Sequence, residues 1–571
     1  MAAPAVAQSA PTREEILREP MGNAQSDTAL EIETDDGIER APCPLANPEF
    51  ANLRFTLREV RFNNAGAIDL ASIDPAWRDL IGTEIPIAAI CDIRDRAATM
   101  LRRQGYLAAV RVPVQRIENG IVSLDILAAR LSAIQIRGDA GASERQLARY
   151  LAKLEGQPLF NVGEAERYLL LANSLPGTSA RLTLRPGSVP GDVIGEITVD
   201  HTPILLDANV QNYGGRAVGR FGGIVRARFN GLTGLGDETT LAVYSTADVD
   251  EQQVVQAGHE FRVGGEGVTI GTNVTYAWTH PTIPGGIDFK TNALVWTSQV
   301  RVPTMLRQSR SLWLGLGFDW IDQDVFALGT LLSRDNIRVA WLNMDGIWTD
   351  PAAFTGRDGY SPAEPRWSAQ INAQIRQGMQ IFGASRPCGP SGSACFGPGA
   401  SPISRVEADT SATVIRAEAE LAWRPIPTVA LILSPRGQYS NHPLLSYEEF
   451  SAGNFTVGRG YDPGILTGDS GAGISAEIRV GTLIPRSRTS LALQPFGFFD
   501  AAWVWNKDTA FAGISPQHLT SAGGGIRLVF GDRARLDVTV AEPLRRVGIP
   551  PSRSATRALI SFTTQFGIGH R

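Results

Sequence analysis

One arginine of this sequence stands between two glycines and ahead of a tyrosine, in the stretch FTVGRGYDPG at residues 455–464. Gly458 and Gly460 permit a tight turn that side chains would block, so the turn presents the guanidinium of Arg459. A guanidinium can bind a carboxylate through two parallel hydrogen bonds. The chemistry that this stretch favours is therefore ion pairing. The alternative is a solvated surface turn whose arginine has no partner.

The motifs of common catalytic centres are missing from the sequence. A Gly-x-Ser-x-Gly elbow does not occur, since GPSGS and GISAE both differ from it at the last position. No His-Glu-x-x-His pattern and no phosphate-binding loop occur, and the 6 histidines are scattered. We therefore expect no enzymatic activity, no cofactor and no bound metal ion.

Composition restricts the classes of partner and of membrane contact. The formal net charge is −5, with no clustered run of basic residues, which excludes a nucleic-acid surface. No window approaches 18 consecutive apolar residues, so the sequence predicts no transmembrane helix. A membrane β-barrel stays open, because its strands face lipid only at alternate residues and leave the mean hydropathy near neutral, here −0.06.

Residues 201–571 show strand-like alternation with no helical signal. In TVIRAEAELAW, the apolar residues Ile415, Leu421 and Trp423 share one face, while Arg416 and Glu418 share the other. Such strands suit a barrel with a polar lumen and an aromatic girdle at the lipid boundary. At roughly 23 residues per strand and turn, this length supplies about 16 antiparallel strands. The sequence therefore predicts a transmembrane β-barrel over 201–571.

Two copies of a small α+β module precede the barrel. The first, residues 51–129, has the order β, α, α, β, β, with helices predicted at PAWRDLIG (75–82) and IAAICDIRDRAATMLRRQ (87–104). The order recurs over residues 130–200. Each module contains a mixed sheet whose free edge can accept a strand from a partner.

Residues 1–50 are predicted to be a tail with a short helix and a linker. Thr12 and Glu15 have the spacing of a capping box at the start of TREEILRE. The first residues, MAAPAVAQSA, resemble the end of a secretory signal peptide with an Ala-x-Ala pattern. A disordered tail of small residues is the alternative.

The four cysteines favour an oxidising compartment. Cys388 and Cys395 bracket a loop rich in glycine, proline and serine, which a disulfide can close without strain if the loop turns back. Cys43 and Cys91 are candidates for a second pair. Four unrelated thiols are the alternative.

Three segments together resemble the transporters of two-partner secretion, of the haemolysin secretion/activation type, within the superfamily of POTRA-plus-barrel outer-membrane proteins. They are residues 102–138, 175–200 and 447–479. The resemblance extends over nearly the whole chain. It implies two POTRA domains, at 51–129 and 130–200, before a barrel of about 16 strands.

The resemblance also implies a functional site. In this superfamily a long loop, here near 450–470, folds into the barrel lumen, and an arginine at its tip pairs with an aspartate of a Phe-x-Asp-x-Gly motif on the inner wall. The matching residues here are Val457, Gly458, Arg459, Gly460 and Tyr461 at the tip and Phe498, Asp500 and Ala502 on the wall. Alanine replaces the usual glycine. We expect exchange of the Arg459 and Asp500 charges to restore part of what either single change loses.

Three further features follow from the resemblance alone. The helix near residues 12–19 plugs the barrel at rest and leaves when a client arrives. Cys43 and Cys91 match a cysteine pair that is common in the first POTRA domain. Phe566 serves as the aromatic signal that the barrel assembly machinery recognises, and outer-membrane lipid surrounds the barrel.

The function that we expect is export of one large secreted partner protein through the outer membrane of a Gram-negative bacterium, with the POTRA domains in the periplasm. The alternative is an insertase for other barrel proteins, which usually has more than two POTRA domains. A patatin-like lipase fused to POTRA domains would need the missing serine elbow. A passive porin is disfavoured by the repeated module.

Overall fold

The computed structural model describes residues 11–17, 32–34, 43, 45, 47–50, 52–66, 68–155, 159–186, 192–282, 288–355, 358–389, 392–397, 401–509, 514–548 and 552–569. They form two compact units, one from residues 30–201 and the other from residues 202–570 with the N-terminal helix. The predicted tail at 1–50 is therefore divided between the units. No helix of the described residues is long and apolar enough to cross a membrane.

The unit at 30–201 has mixed sheets with helices packed against them. Its helices are Ala89–Arg103 (α2), Glu144–Leu151 (α3) and Val162–Asn173 (α4). The first helix of the chain, Arg13–Leu17 (α1), belongs to the other unit. Its strands are Ile32–Thr34 (β1), Arg54–Thr56 (β2), Glu59–Asn63 (β3), Glu84–Pro86 (β4), Ala108–Arg111 (β5), Ile121–Ala128 (β6), Arg130–Gly138 (β7), Thr178–Pro186 (β8) and Asp192–His201 (β9).

The two α+β modules repeat one strand arrangement. In the first, β6 pairs in parallel with β3 and antiparallel with β5. In the second, β9 pairs in parallel with β7 and antiparallel with β8. Backbone hydrogen bonds from Phe160 to Ala129 (2.7 Å) and from Val162 to Gly105 (2.8 Å) join the modules.

The helix predicted at 75–82 is wrong. The segment is a series of 3-10 turns, Leu70–Ser72, Asp74–Ala76 and Arg78–Leu80, closed by bonds such as Ala76 N to Ile73 O at 2.9 Å. Ile73 and Ala76 are both buried, and their spacing of three fits the three residues per turn of a 3-10 helix. The second predicted helix is α2, whose Ile90, Ile93, Ala97 and Leu101 enter the core of the first module.

Sixteen antiparallel strands close into a barrel, as the sequence predicts. They are Ile204–Gln211 (β10), Gly222–Asn230 (β11), Glu238–Thr246 (β12), Gln252–Val263 (β13), Val268–Thr279 (β14), Phe289–Arg307 (β15), Arg310–Ala327 (β16), Thr330–Thr349 (β17), Trp367–Gly378 (β18), Thr413–Ile426 (β19), Val429–Ser440 (β20), Ser470–Val480 (β23), Leu491–Trp505 (β24), Gln517–Phe530 (β25), Ala534–Pro543 (β26) and Arg557–Ile568 (β29). Two short hairpins are not part of the barrel wall. They are Phe450–Ala452 (β21) with Leu466–Gly468 (β22), and Arg546–Val547 (β27) with Ser552–Arg553 (β28).

The alternation predicted for β19 is confirmed. Trp423 is 52% exposed on the outer face, whereas its neighbour Arg424 is only 9% exposed. Closure comes from pairing of β10 with β29, from Ile204 opposite Ile568 to Gln211 opposite Ser561. Phe566 belongs to this last strand, where it lies on the outer face and is 49% exposed.

Loops of unequal length connect the strands at the two rims. Because neighbouring strands are antiparallel, the connections after β18, β20 and β24 all lie at one rim, which we call the loop rim. The connection at 379–412 contains Cys388 and Cys395, and we call it the disulfide loop. The connection at 441–469 contains the Arg459 turn, and we call it the inward loop.

Candidate functional site

The inward loop fills part of the barrel lumen. It begins with a 3-10 turn at Ser446–Glu448, and then β21 pairs with β22. Between these strands lies the tip, whose residues Val457 and Tyr461 are 3% and 0% exposed. Both belong to an apolar cluster with the wall residues Ala502 and Leu519. The tip is therefore docked on the inner wall and is not a solvated surface turn.

Arg459 makes a bidentate ion pair with Asp500. Its Nε donates to Asp500 Oδ2 at 3.1 Å, and its Nη2 donates to Asp500 Oδ1 at 2.9 Å. The backbone N–H of Arg459 donates to the same carboxylate at 3.0 Å. The guanidinium carbon also lies 3.5 Å from the ring centre of Phe498. Since Asp500 is 1% exposed, loss of the guanidinium would leave a buried charge without its cation.

The period of a strand explains why the wall can present these residues together. Phe498, Asp500 and Ala502 are alternate residues of β24, so all three point to the inner face, where they are 7%, 1% and 0% exposed. The register places Ser475 and Ser521 on either side of Asp500. Both serine hydroxyls donate to its carboxylate, at 2.8 and 3.2 Å.

Glycine is needed at the two positions of the tip for different structural reasons. Gly458 has a φ of +119°, and a Cβ there would lie 2.7 Å from Leu519 Cδ1. Gly460 needs no unusual φ, but a Cβ there would lie 2.9 Å from Ser521 Cβ and from Pro543 N. After them, the hydroxyl of Tyr461 donates to the backbone oxygen of Thr520 at 2.8 Å. Only glycine lets the tip approach the wall this closely.

A second carboxylate also binds Arg459, and the sequence did not indicate it. Nη1 of Arg459 donates to Glu477 Oε2 at 2.8 Å, and Nη2 donates to Ser475 Oγ at 2.8 Å. Glu477 also accepts from Arg527 at 2.6 Å and is paired with Arg479. Alternation places Glu477 on the lumen face of β23, but no local pattern indicates that the loop tip reaches it. Arg459 is therefore part of a network and not of one isolated pair.

The N-terminal helix α1 lies in the lumen beside the inward loop. The capping box is confirmed, since Glu15 N donates to Thr12 Oγ1 at 3.3 Å and Thr12 N donates to Glu15 Oε2 at 3.0 Å. Ile16 is fully buried in a cluster with inward-facing residues such as Tyr244 and Trp341. The helix therefore occupies part of the barrel lumen.

Polar contacts connect α1 to the inward loop and to the wall. Glu14 accepts from Ser451 of β21 at 2.8 Å and lies 3.6 Å from Arg436 of β20. Gln256 of β13 donates to the backbone oxygen of Leu17. A cavity of about 330 Å³ adjoins the helix and is lined by Arg13, Arg376, Arg416 and Arg436 among others. Side chains of the inward loop and of the barrel wall therefore hold the helix beside this cavity.

The four cysteines form two disulfides. Cys43 is bonded to Cys91 in the unit at 30–201, and Cys388 is bonded to Cys395 in the disulfide loop. The second bond is buried in the same cluster as Ile16 of α1. Among the described residues, no group of three or more His, Cys, Asp and Glu side chains is placed to hold a metal ion.

The architecture and the comparisons define the class of protein. A closed barrel, α+β modules before it and a loop docked in its lumen are the features of POTRA-plus-barrel outer-membrane proteins. Residues 55–128 match the model of the ShlB-type POTRA domain. Residues 360–528 match the model of the haemolysin secretion/activation protein ShlB/FhaC/HecB. The second match contains both Arg459 and Asp500.

These two matches support a two-partner secretion transporter similar to the ShlB/FhaC/HecB proteins. One relative is the heme/hemopexin transporter protein HuxB of Haemophilus influenzae (strain 86-028NP), which is 26% identical over 202 residues. That match covers 34% of this chain, and the chain spans 35% of the length of that relative.

Two solved structures share the fold over almost the whole chain. CdiB from Escherichia coli has a TM-score of 0.74 at 15% identity, covering 99% of this chain and 95% of that chain. CdiB from Acinetobacter baumannii has a TM-score of 0.65 at 15% identity, covering 98% of this chain and 95% of that chain. These comparisons agree with the predicted fold of a barrel preceded by POTRA domains.

Proposed function

We propose that this protein is an outer-membrane pore that exports one large secreted partner protein from the periplasm to the cell surface. The observation that carries the proposal is the content of the lumen. The closed barrel holds α1 and the tip of the inward loop, and both are attached to the wall through side chains, by the Glu14–Arg436 and Arg459–Asp500 pairs. A passive channel has no need of two such removable elements.

The orientation follows from this role. The unit at 30–201 lies in the periplasm and collects the client there, and the loop rim faces the cell exterior. Strand addition is one way to bind an extended client. The segment Ile32–Thr34 already adds to the second POTRA sheet as a parallel strand beside Leu182–Leu184, which supports the capacity of this edge to accept one.

Arg459 and Asp500 act in conformation and not in catalysis. The periplasm contains no ATP, so folding of the client outside the cell supplies the driving force. The tip occupies its docked position at rest, and passage of the client requires it or α1 to move. An insertase for barrel proteins is the alternative function, and the experiment below separates the two.

The first experiment compares the proteins that cells release with and without this gene, by mass spectrometry of the culture medium. We expect loss of one large exoprotein, while other outer-membrane proteins stay at normal levels. The wild-type gene supplied in trans is the control and should restore that exoprotein. A general fall in barrel proteins would contradict the export function and support the insertase.

A further inference from the structure

The disulfide loop is fixed to the barrel wall where it passes the inward loop. Arg334 of β17 donates its backbone N–H to Pro402 O at 2.7 Å, and Ser404 N donates to the carboxylate of Asp335 at 2.8 Å. The side chain of Ile403 is 5% exposed in the lumen cluster. Residues 402–404 are therefore held by β17, and the next residue, Arg405, projects from a fixed base.

Arg405 contacts three carboxylates from two other loops. Its Nη1 donates to Glu449 Oε1 and to Asp469 Oδ1, each at 2.6 Å. Its Nε donates to Asp508 Oδ2 at 2.8 Å, and Nη1 also lies 3.0 Å from the backbone oxygen of Leu444. Arg405 is 9% exposed, so these contacts are shielded from water. We call this set the Arg405 clamp.

The clamp holds the inward loop at both of its ends. Glu449 immediately precedes β21, and Asp469 immediately follows β22, so one guanidinium joins the two stems of the loop. Asp469 is fully buried and also accepts the backbone N–H groups of Leu444 and Lys507, each at 2.7 Å. The connection at 506–516 is thereby attached to the same point.

We infer that Arg405 is a second positioning residue of the inward loop, which fixes both stems at the loop rim so that the tip carrying Arg459 rests on the inner wall. The consequence of this role of Arg405 for export rests on the proposed function, whereas the effect of Arg405 on the inward loop does not. The planar guanidinium suits this task, because it has five N–H donors in a rigid fork and stays charged when buried. Lysine offers one point charge and cannot join three loops with the same geometry.

The experiment measures how often the tip leaves the wall. Val457 is 3% exposed at the tip, and the described residues contain no free cysteine. In the variant Val457→Cys, the new thiol reacts with N-ethylmaleimide only when the tip undocks, so the reaction rate reports the undocked fraction. Adding Arg405→Ala should increase the labelling rate of the purified full-length protein at least about tenfold, because the stems lose their common partner.

Matched variants control for damage to the fold. Arg488→Ala removes an arginine whose side chain is 84% exposed, and should leave labelling of Val457→Cys unchanged. Arg405→Lys should give an intermediate rate. Heat-dependent mobility in electrophoresis reports whether the barrel has closed. If Arg405→Ala does not close its barrel, Asp508→Asn, which weakens one arm only, becomes the deciding variant. The inference would be overturned if the labelling rate of the deciding variant stayed within twofold of that of Val457→Cys alone. The deciding variant is Arg405→Ala, or Asp508→Asn if Arg405→Ala does not close its barrel.

The charges of the clamp predict a pH dependence. Glu449 faces Arg405, Asp469, Asp508 and the hydroxyl of Thr467. Burial raises the pKa of Glu449 to about 7; Arg405 opposes the shift, and the two aspartates increase it. The docked state therefore binds this proton more tightly than the undocked state, where the usual pKa applies. The resulting stabilisation is complete below the usual pKa of the carboxyl group and is lost as the pH rises through about 7.

Labelling of Val457→Cys should therefore be about tenfold faster at pH 8 than at pH 6, after correction for the reactivity of a free thiol at each pH. Adding Glu449→Gln should remove most of the difference, because glutamine does not titrate. An equal pH ratio with and without Glu449→Gln would contradict this assignment. No client is present in these measurements, so their failure would leave the export function standing, and failure of the exoprotein comparison would leave the clamp standing.

Discussion

Oxidation of a cysteine pair placed at Val457 and Gly473 is expected to lower export of the client to about a tenth of the wild-type level or less, and reductant should restore it. A Cβ at Gly473 would lie 3.2 Å from Val457 Cβ. Disulfides span a Cβ separation of about 3.5–4.5 Å, so a shift of a few tenths of an ångström suffices. The bond would fix the loop tip to β23 and remove every state in which the tip is undocked.

The two single-cysteine variants are the controls for this pair. Each carries one of the substitutions and no new crosslink, so neither should respond to the oxidant. The reductant also reaches the native disulfides, and the wild-type protein must therefore be treated in parallel. Export is measured as the amount of client in the medium per amount of barrel in the outer membrane. Undiminished export by the fully oxidised pair would show that the tip stays docked during transport.

The crosslink is a sharper test than exchange of the Arg459 and Asp500 charges. The sequence predicted partial rescue by that exchange, on the assumption that the two residues bind chiefly each other. The structure adds Glu477, which lies 2.8 Å from Arg459. An aspartate at position 459 would face this carboxylate, and like charges at such a distance repel. We now expect the charge exchange to restore little of the lost export. A lack of rescue would therefore no longer argue against the Arg459–Asp500 ion pair.

Period-two alternation explains how much of the site was predictable. Phe498, Asp500 and Ala502 must share a strand face whatever the rest of the barrel does. The same alternation indicated the polar lumen, and the length of the alternating region indicated the number of strands. The resemblance to secretion transporters then indicated that Arg459 meets Asp500. The distance between them is a tertiary property, since the two residues are 41 positions apart.

The Arg405 clamp shows where this kind of prediction ends. Arg405 lies in SPISRVEADT, a loop segment with no period, and its carboxylate partners are 44, 64 and 103 residues away. Nothing local distinguishes it from a solvated arginine. The helix predicted at 75–82 failed for another reason, since a helical pattern of only eight residues fits a series of 3-10 turns equally well. The role of α1 as a plug stays a prediction.

The predicted role of α1 as a plug leads to the second substitution with a large expected effect. Ile16→Asp is expected to release α1 from the lumen and to increase the single-channel conductance of the pore in planar bilayers severalfold. Ile16 is fully buried, and burial of such a side chain is worth about 2–3 kcal/mol. An unpaired carboxylate in the same cluster adds a further cost. Together these changes favour the unseated helix by a factor of about 100 or more.

A matched substitution separates release of the helix from a general effect of the new charge. Ile136 in β7 is 41% exposed, so Ile136→Asp introduces the same side chain in the other unit without burying it, and should leave the conductance unchanged. Cells that produce the Ile16→Asp variant should also become sensitive to large antibiotics that the outer membrane normally excludes. A wild-type conductance in Ile16→Asp would mean that the inward loop alone closes the pore. In that case the Arg405 clamp, and not α1, would control the resting state.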